Sequence, residues 1–196
     1  MSEVVIVDNG GANIASVQFA LERLGASSTL SADPARIRGA ARVLLPGVGA
    51  AAGAMARLRA TGLDVVLRGL TQPLLGICLG MQLLFESSEE GDATCLGVIP
   101  GSASRFVTAL AVPHMGWNQL EPLAGEPLLG GIEHGEHAYF VHSYRVPLGP
   151  HTIATTRYGA PFSAAVRYRN FHGVQFHPER SAKVGARILR NFLEAA

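Results

Sequence analysis

Lysine and cysteine are scarce in this chain: Lys183 is the single lysine among 16 basic residues, and Cys78 and Cys95 are the two cysteines. Two cysteines are too few for a disulfide framework and lack the paired spacing of a zinc site. The arginine bias does not by itself mark a phosphate site. Runs of about five or six like charges are missing, and 16 basic against 15 acidic side chains leave a formal charge of +1. A nucleic-acid partner is therefore not expected. No apolar run reaches the roughly 18 residues of a membrane span, since Arg, Gly, Pro or acidic residues interrupt every candidate. The opening Ser2-Glu3-Val4-Val5-Ile6-Val7-Asp8 has neither the basic start nor the apolar leader of a signal peptide. The expectation is a cytoplasmic protein without a membrane association.

What is present is a chain of 196 residues, 48% hydrophobic and 16% charged, the composition of one folded domain over 1–196. A domain of this length buries roughly 70% of its unfolded surface and needs no metal or crosslink to fold. Val4 to Val7 reads as a buried strand, followed by a helix from Asn13 to Leu24 that Gly25 stops. Ser27 to Ser31 and Ala41 to Leu45 read as strands, with a short helix started by Asp33 and Pro34 between them. The alanine-rich segment from Ala50 to Ala60 has high helix propensity. Pro73 to Ile77 reads as a central strand and Leu79 through Ser87 as a helix. Beyond Glu90, frequent Gly and Pro divide shorter strands, including Ala138 to Val141, Ile153 to Thr156, Ser163 to Arg169 and Gly173 to Phe176. A serine-capped helix from Ser181 to Leu193 closes the chain. The alternation predicts an α/β fold: a central, mostly parallel mixed sheet flanked by helices.

Ligands of such sheets collect at the carboxyl ends of strands. There Gly76-Ile77-Cys78-Leu79-Gly80 sets a thiol between two glycines where strand becomes helix. Glycines permit a tight turn, and a helix N-terminus favours a thiolate. His177, at the end of the Gly173 to Phe176 strand, is the candidate base, and Glu179 can hold its remote nitrogen. Pro46-Gly47-Val48-Gly49 leaves another strand and can turn a backbone amide toward a carbonyl under attack by Cys78. With the Leu79 amide, the Val48 and Gly49 region forms a candidate oxyanion hole. Cys95 lacks such a junction and is expected to be structural. His134 and His137 have a three-residue spacing, but Gly131 and Gly135 argue against a helical metal-ligand face, so no metal is expected.

Gly76-Ile77-Cys78-Leu79-Gly80-Met81-Gln82 and Gln175-Phe176-His177-Pro178-Glu179 resemble the signatures of the class I glutamine amidotransferases. The resemblance implies that family's single-domain fold, Cys78 as nucleophile, His177 as base and acid, Glu179 as its orienter and Gln82 as a glutamine contact. Further matches cover nearly the whole chain, among them Asp8 through Val17 and Leu83-Leu84-Phe85-Glu86-Ser87-Ser88. They narrow the resemblance to the glutaminase subunits of imidazole glycerol phosphate synthases. Those subunits deliver ammonia to a separate cyclase with a β/α-barrel fold, and the reaction uses no cofactor. On the same resemblance, His142, Ser143 and Tyr144 join the glutamine site, and Asn13, Trp117, Asn118 and Tyr139 meet the cyclase.

Three positions depart from the pattern: Asn9 where an aromatic is common, Ala12 for glycine, and Arg180 for lysine. Alternatives at this point are a glutaminase subunit serving anthranilate, purine or pyridoxal phosphate synthesis, and a noncatalytic subunit that retains only the partner surface.

Overall fold

The computed structural model describes residues 4–10 and 14–194. Asn13, expected at the partner interface, and the departure at Ala12 lie outside the described residues.

The first half alternates strand and helix: β1 (Val4–Val7), α1 (Ile14–Arg23), β2 (Ser28–Ser31), α2 (Pro34–Gly39), β3 (Arg42–Gly47), α3 (Ala51–Ala60), α4 (Leu63–Arg68), β4 (Leu74–Cys78) and α5 (Leu79–Gln82). The second half is richer in strands: β5 (Phe85–Ser88), β6 (Ala93–Thr94), β7 (Ile99–Arg105), β8 (His114–Gln119), β9 (Glu121–Pro122), β10 (His137–His142), β11 (Tyr144–Arg145), β12 (Thr152–Tyr158), β13 (Ala160–Tyr168) and β14 (Phe171–Val174). A 3-10 turn at Pro178–Arg180 leads into the last helix, α6 (Ala182–Glu194).

Eight strands form the main sheet in the order β2-β1-β3-β4-β14-β13-β12-β9. The half from β2 to β14 is parallel, and the half from β13 to β9 is added antiparallel. β1 and β4 are buried along their whole length, as strands covered on both faces must be. Alternation sorts their side chains. Val4, Ile6, Leu44, Leu75 and Ile77 pack with Val17 and Leu21 of α1 and Ile188, Leu189 and Phe192 of α6. Val5, Val7, Val43, Leu45 and Leu74 face α2, α3 and α4 through Ile37, Met55, Leu58, Leu63 and Leu67. Two small sheets, β10-β8 and β11-β7-β5-β6, sit beside this framework.

The expected helix from Leu79 through Ser87 is corrected: it ends at Gln82, and Phe85–Ser88 is strand β5. Its apolar spacing suits a helix, but the carbonyl of Leu84 accepts the amides of Val98 and Ile99, each at 2.9 Å, and β7 and β6 flank Phe85–Ser88. A distant segment therefore captures the backbone. The short helix α4 lies in a stretch where the sequence carried no prediction. Strand β14 stops at Val174, leaving Gln175 and Phe176 beyond the ladder. The serine before α6 is also corrected: the Ser181 hydroxyl donates to the carbonyl of His177 at 2.7 Å instead of accepting from the helix's own first turn.

Candidate active site

Strands β3, β4 and β14 end together, with Gly47 opposite Cys78 and Val174 opposite Ile77. Cys78 closes β4 with φ 54° and ψ −110°, a backbone conformation that costs about 1–3 kcal/mol in a non-glycine residue. The surrounding glycines explain how the fold tolerates it. A Cβ on Gly80 would stand 1.7 Å from the carbonyl oxygen of Leu45, and one on Gly76 would stand 2.6 Å from the carbonyl oxygen of Gly80. The start of α5 is thus pressed onto β3 and β4 at distances that only hydrogen at Cα allows, which sets the buried Cys78 in the tight turn at the end of the sheet.

His177 follows β14 and comes to the same edge. Its Nδ1 lies 2.8 Å from Oε1 of Glu179, whose side chain is itself buried. Burial works to lower the His177 pKa, but the nearby Cys78 sulfur and the hydrogen-bonded Glu179 carboxylate outweigh it, and the pKa is pushed up to about 10. Cys78, at the end of β4, and the His177–Glu179 pair, after β14, thus stand at the same edge of the sheet. Cys95, by contrast, is buried away from them, and burial pushes its thiol up to about 11 against the pull of Arg59. That is the environment of an inert cysteine.

Three residues that sequence reasoning did not assign hold this pair. Ser181 receives the amide of Tyr139 at 2.9 Å while donating to His177, so its hydroxyl pins the histidine backbone to β10. The amide of His177 also donates to the carbonyl of Tyr139 at 2.9 Å. Gly185 lets α6 approach, since a Cβ there would stand 1.8 Å from the carbonyl oxygen of Pro178. Gln175, fully buried, directs its Nε2 at Sγ of Cys78 across 3.7 Å. Its position inside the motif ahead of His177 was the available signal.

The remaining expected site residues divide. Val48 and Gly49 lie exposed directly after β3, with Gly49 at φ 84°, and Leu79 is buried at the start of α5. Gln82 is buried, and its Nε2 donates to the carbonyl of Tyr144 at 2.8 Å and to Oε1 of Gln175 at 2.9 Å. Its amide hydrogens are spent inside the protein. His142, also expected at glutamine, is buried and both of its imidazole nitrogens have protein partners. Ser143 links β10 to β11 and Tyr144 opens β11, and both are half-buried.

Trp117 is 54% exposed and meets the Tyr139 ring edge-on at 5.9 Å, while the Arg180 guanidinium lies 4.7 Å over the same Tyr139 ring. Asn118, expected beside them at the interface, turns its amide inward to His114 and the carbonyl of Arg157. The departure at Asn9 is buried and donates from Nδ2 to the carbonyl of Pro46 at 3.1 Å, tying the end of β1 to the segment that leads to Val48. His134 and His137 are exposed, and among the described residues no three His, Cys, Asp or Glu side chains are grouped to hold a metal. No described helix is long and apolar enough to cross a membrane.

A family model described as glutamine amidotransferase class-I matches residues 5–196. The imidazole glycerol phosphate synthase subunit HisH of Xanthomonas axonopodis pv. citri (strain 306) is 56% identical over 196 residues, covering 99% of this chain and 98% of that protein. The subunit of the same name from Xylella fastidiosa (strain Temecula1 / ATCC 700964) is 56% identical with the same coverage. Among solved structures, a glutamine amidotransferase superimposes with a TM-score of 0.75 at 23% identity, covering 97% of each chain. PurLQS from Thermotoga maritima reaches 0.74 at 18% identity, covering 98% of each chain. Similarity at those identities concerns the fold alone.

Proposed function

Because this chain belongs to the class I glutamine amidotransferase family, we propose that Cys78, His177 and Glu179 are the groups with which it hydrolyses glutamine. The observation that carries the assignment is the thiol on a strained strand end with a Glu179-held imidazole as its partner. An imidazolium beside sulfur favours the thiolate, the attacking form of cysteine.

Sγ of Cys78 bonds to the side-chain amide carbon of glutamine, and the carbonyl electron pair moves onto oxygen. The amide of Leu79 and the loop at Val48 and Gly49 receive that oxyanion, whose charge exists only as attack proceeds. His177 passes its proton to the departing nitrogen, the C–N bond breaks, and ammonia leaves a glutamyl thioester. Neutral His177 then takes a proton from water as the water oxygen attacks the thioester carbon. Collapse of this second oxyanion breaks the C–S bond, releasing glutamate and restoring the thiolate–imidazolium pair. Glu179 keeps the imidazole in one orientation throughout both proton transfers. In this reading Ser143 and Tyr144 line the glutamine side of the site, and Gln82 holds the Tyr144 carbonyl there.

The HisH relatives point to the use of the ammonia: a cyclase subunit that builds imidazole glycerol phosphate in histidine biosynthesis. We assign that cyclase, a β/α-barrel in our reading, to the face carrying Trp117 and Tyr139. An exposed indole braced by a second aromatic and an arginine has the composition of an interface anchor. The test is a reconstituted reaction with the cyclase. Wild type should support synthesis from glutamine, whereas Cys78→Ser should lose it yet leave the cyclase active with added ammonia. Equal glutamine-dependent synthesis by both variants would remove Cys78 from the mechanism.

A further inference from the structure

A single line of hydrogen bonds runs from strand β8 to the reactive sulfur, and the donors along it can be assigned without ambiguity. Asn118 Oδ1 accepts the amide of Gln119 at 2.8 Å, and its Nδ2 faces the carbonyl of Arg157 at 2.9 Å, which fixes the side-chain amide. The same Nδ2 lies 3.2 Å from Nε2 of His114, so that nitrogen carries a lone pair. His114 must then bear its hydrogen on Nδ1, and it donates across 3.0 Å to Nε2 of His142. That leaves the hydrogen of His142 on Nδ1, where it donates to the carbonyl of Tyr144 at 2.7 Å. Both rings are therefore neutral and share one tautomer. Burial, which pushes His114 down to about 4 and His142 to about 3, agrees with this accounting.

The carbonyl of Tyr144 has two lone pairs and also receives Nε2 of Gln82. The other hydrogen of that amide goes to Oε1 of Gln175, which obliges Gln175 to present Nε2, a donor, to Sγ of Cys78. His114 and His142 are directly opposed across β8 and β10, so the ladder of the small sheet holds their rings in register. Every member with a free choice of orientation is thereby forced by its neighbour.

We propose that Gln175 is a further catalytic residue, donating a hydrogen bond to the Cys78 sulfur and fixing the rotamer from which it attacks, and that His114 and His142 are positioning residues acting on it through Tyr144 and Gln82. This rests on the reading of Cys78 as the nucleophile. A buried N–H aimed at an anionic sulfur is a charge-assisted bond, stronger than the same bond to a thiol. His142 and Gln82 share one acceptor, so loss of the imidazole donor frees the Tyr144 carbonyl to move and takes the Gln82 amide with it.

The first measurement needs no variant. A long-range proton–nitrogen spectrum of wild type should show His114 and His142 both protonated on Nδ1; either ring found protonated on Nε2 would overturn the relay. The second is the rate at which iodoacetamide alkylates Cys78 at neutral pH, located by mass spectrometry. It should fall about 10-fold in Gln175→Leu and in His142→Phe. His142→Asn, which retains a donor for the Tyr144 carbonyl, should recover most of that loss. Wild-type rates in Gln175→Leu and His142→Phe with intact folding would overturn the proposal, and so would equal losses in His142→Phe and His142→Asn. Should Gln175→Leu not fold, the histidine variants and the spectrum decide. Alkylation requires no glutamine turnover, so a wild type that alkylates as expected but releases no glutamate with its cyclase refutes the functional reading and not the relay.

Discussion

Glu179 contributes through the charge state of a neighbour. Its Oε1 is 2.8 Å from His177 while its Oε2 is buried without a partner, so the carboxylate is committed to that histidine. The substitution Glu179→Gln keeps the shape of the side chain but removes one of the influences that hold His177 protonated up to about 10. The imidazolium should then be lost at lower pH. Glutamate release with the cyclase present is expected to fall about 100-fold at neutral pH, with the alkaline limb of the pH–rate profile moved toward neutrality. An unchanged alkaline limb would exclude Glu179 as the orienter. At position 180 the guanidinium carbon lies 4.7 Å over the Tyr139 ring, a contact that a delocalised planar cation makes more readily than a compact ammonium.

At the scale of elements, the reactive geometry comes from how closely α5 and α6 approach the ends of strands. Gly80 allows the first approach and Gly185 the second. Gly80→Ala places a methyl within 1.7 Å of the Leu45 carbonyl oxygen, and neither β3 nor α5 can retreat without disturbing Cys78. The expected cost is about 3 kcal/mol or more of folding stability, read as a lowered urea midpoint. A variant with a wild-type midpoint would show that the elbow is not rigidly packed. Strand β10 is the second device. Through Tyr139, Val141 and His142 it touches the His177 amide, the Cys78 sulfur and the Tyr144 carbonyl in turn, so one short strand braces both Cys78 and His177.

For the molecule as a whole, the histidines set opposing trends in stability with pH. Burial lowers His114 to about 4, His142 to about 3 and His172 to about 4, the last assisted by Arg167, against an ordinary value of 6.5. Between about 6.5 and 4 the unfolded chain binds protons that the folded chain refuses, so their contribution is complete above 6.5 and is lost as pH falls. His177 acts in the other direction: its pKa is raised to about 10, so its contribution is complete below 6.5 and is lost as pH rises toward 10. Together these four groups place their most favourable pH near 6.5. Urea midpoints should decline on both sides, and His172→Asn should flatten the acid limb, since His172 lies on β14 beside Phe192 with its buried Nδ1 unpartnered. Equal acid slopes in wild type and variant would refute this account for His172.

The local pattern of residues was sufficient for the parallel strands β1, β3 and β4, for the elbow at Cys78 and for the partnership of His177 with Glu179. Each depends on neighbours within a few positions: apolar runs, flanking glycines, a two-residue spacing. The end of α5, strand β5 and the inward turn of Asn118 and His142 were not legible in this way. Their backbone and side-chain groups are satisfied by residues far off in the chain, and a hydrogen bond to a distant partner leaves no periodicity to read. Sequence thus determined which groups are candidates for the chemistry, because side-chain reactivity and turn geometry are local. Only the tertiary structure decided what holds those atoms in place, because each buried donor had to find its acceptor after the sheet had formed.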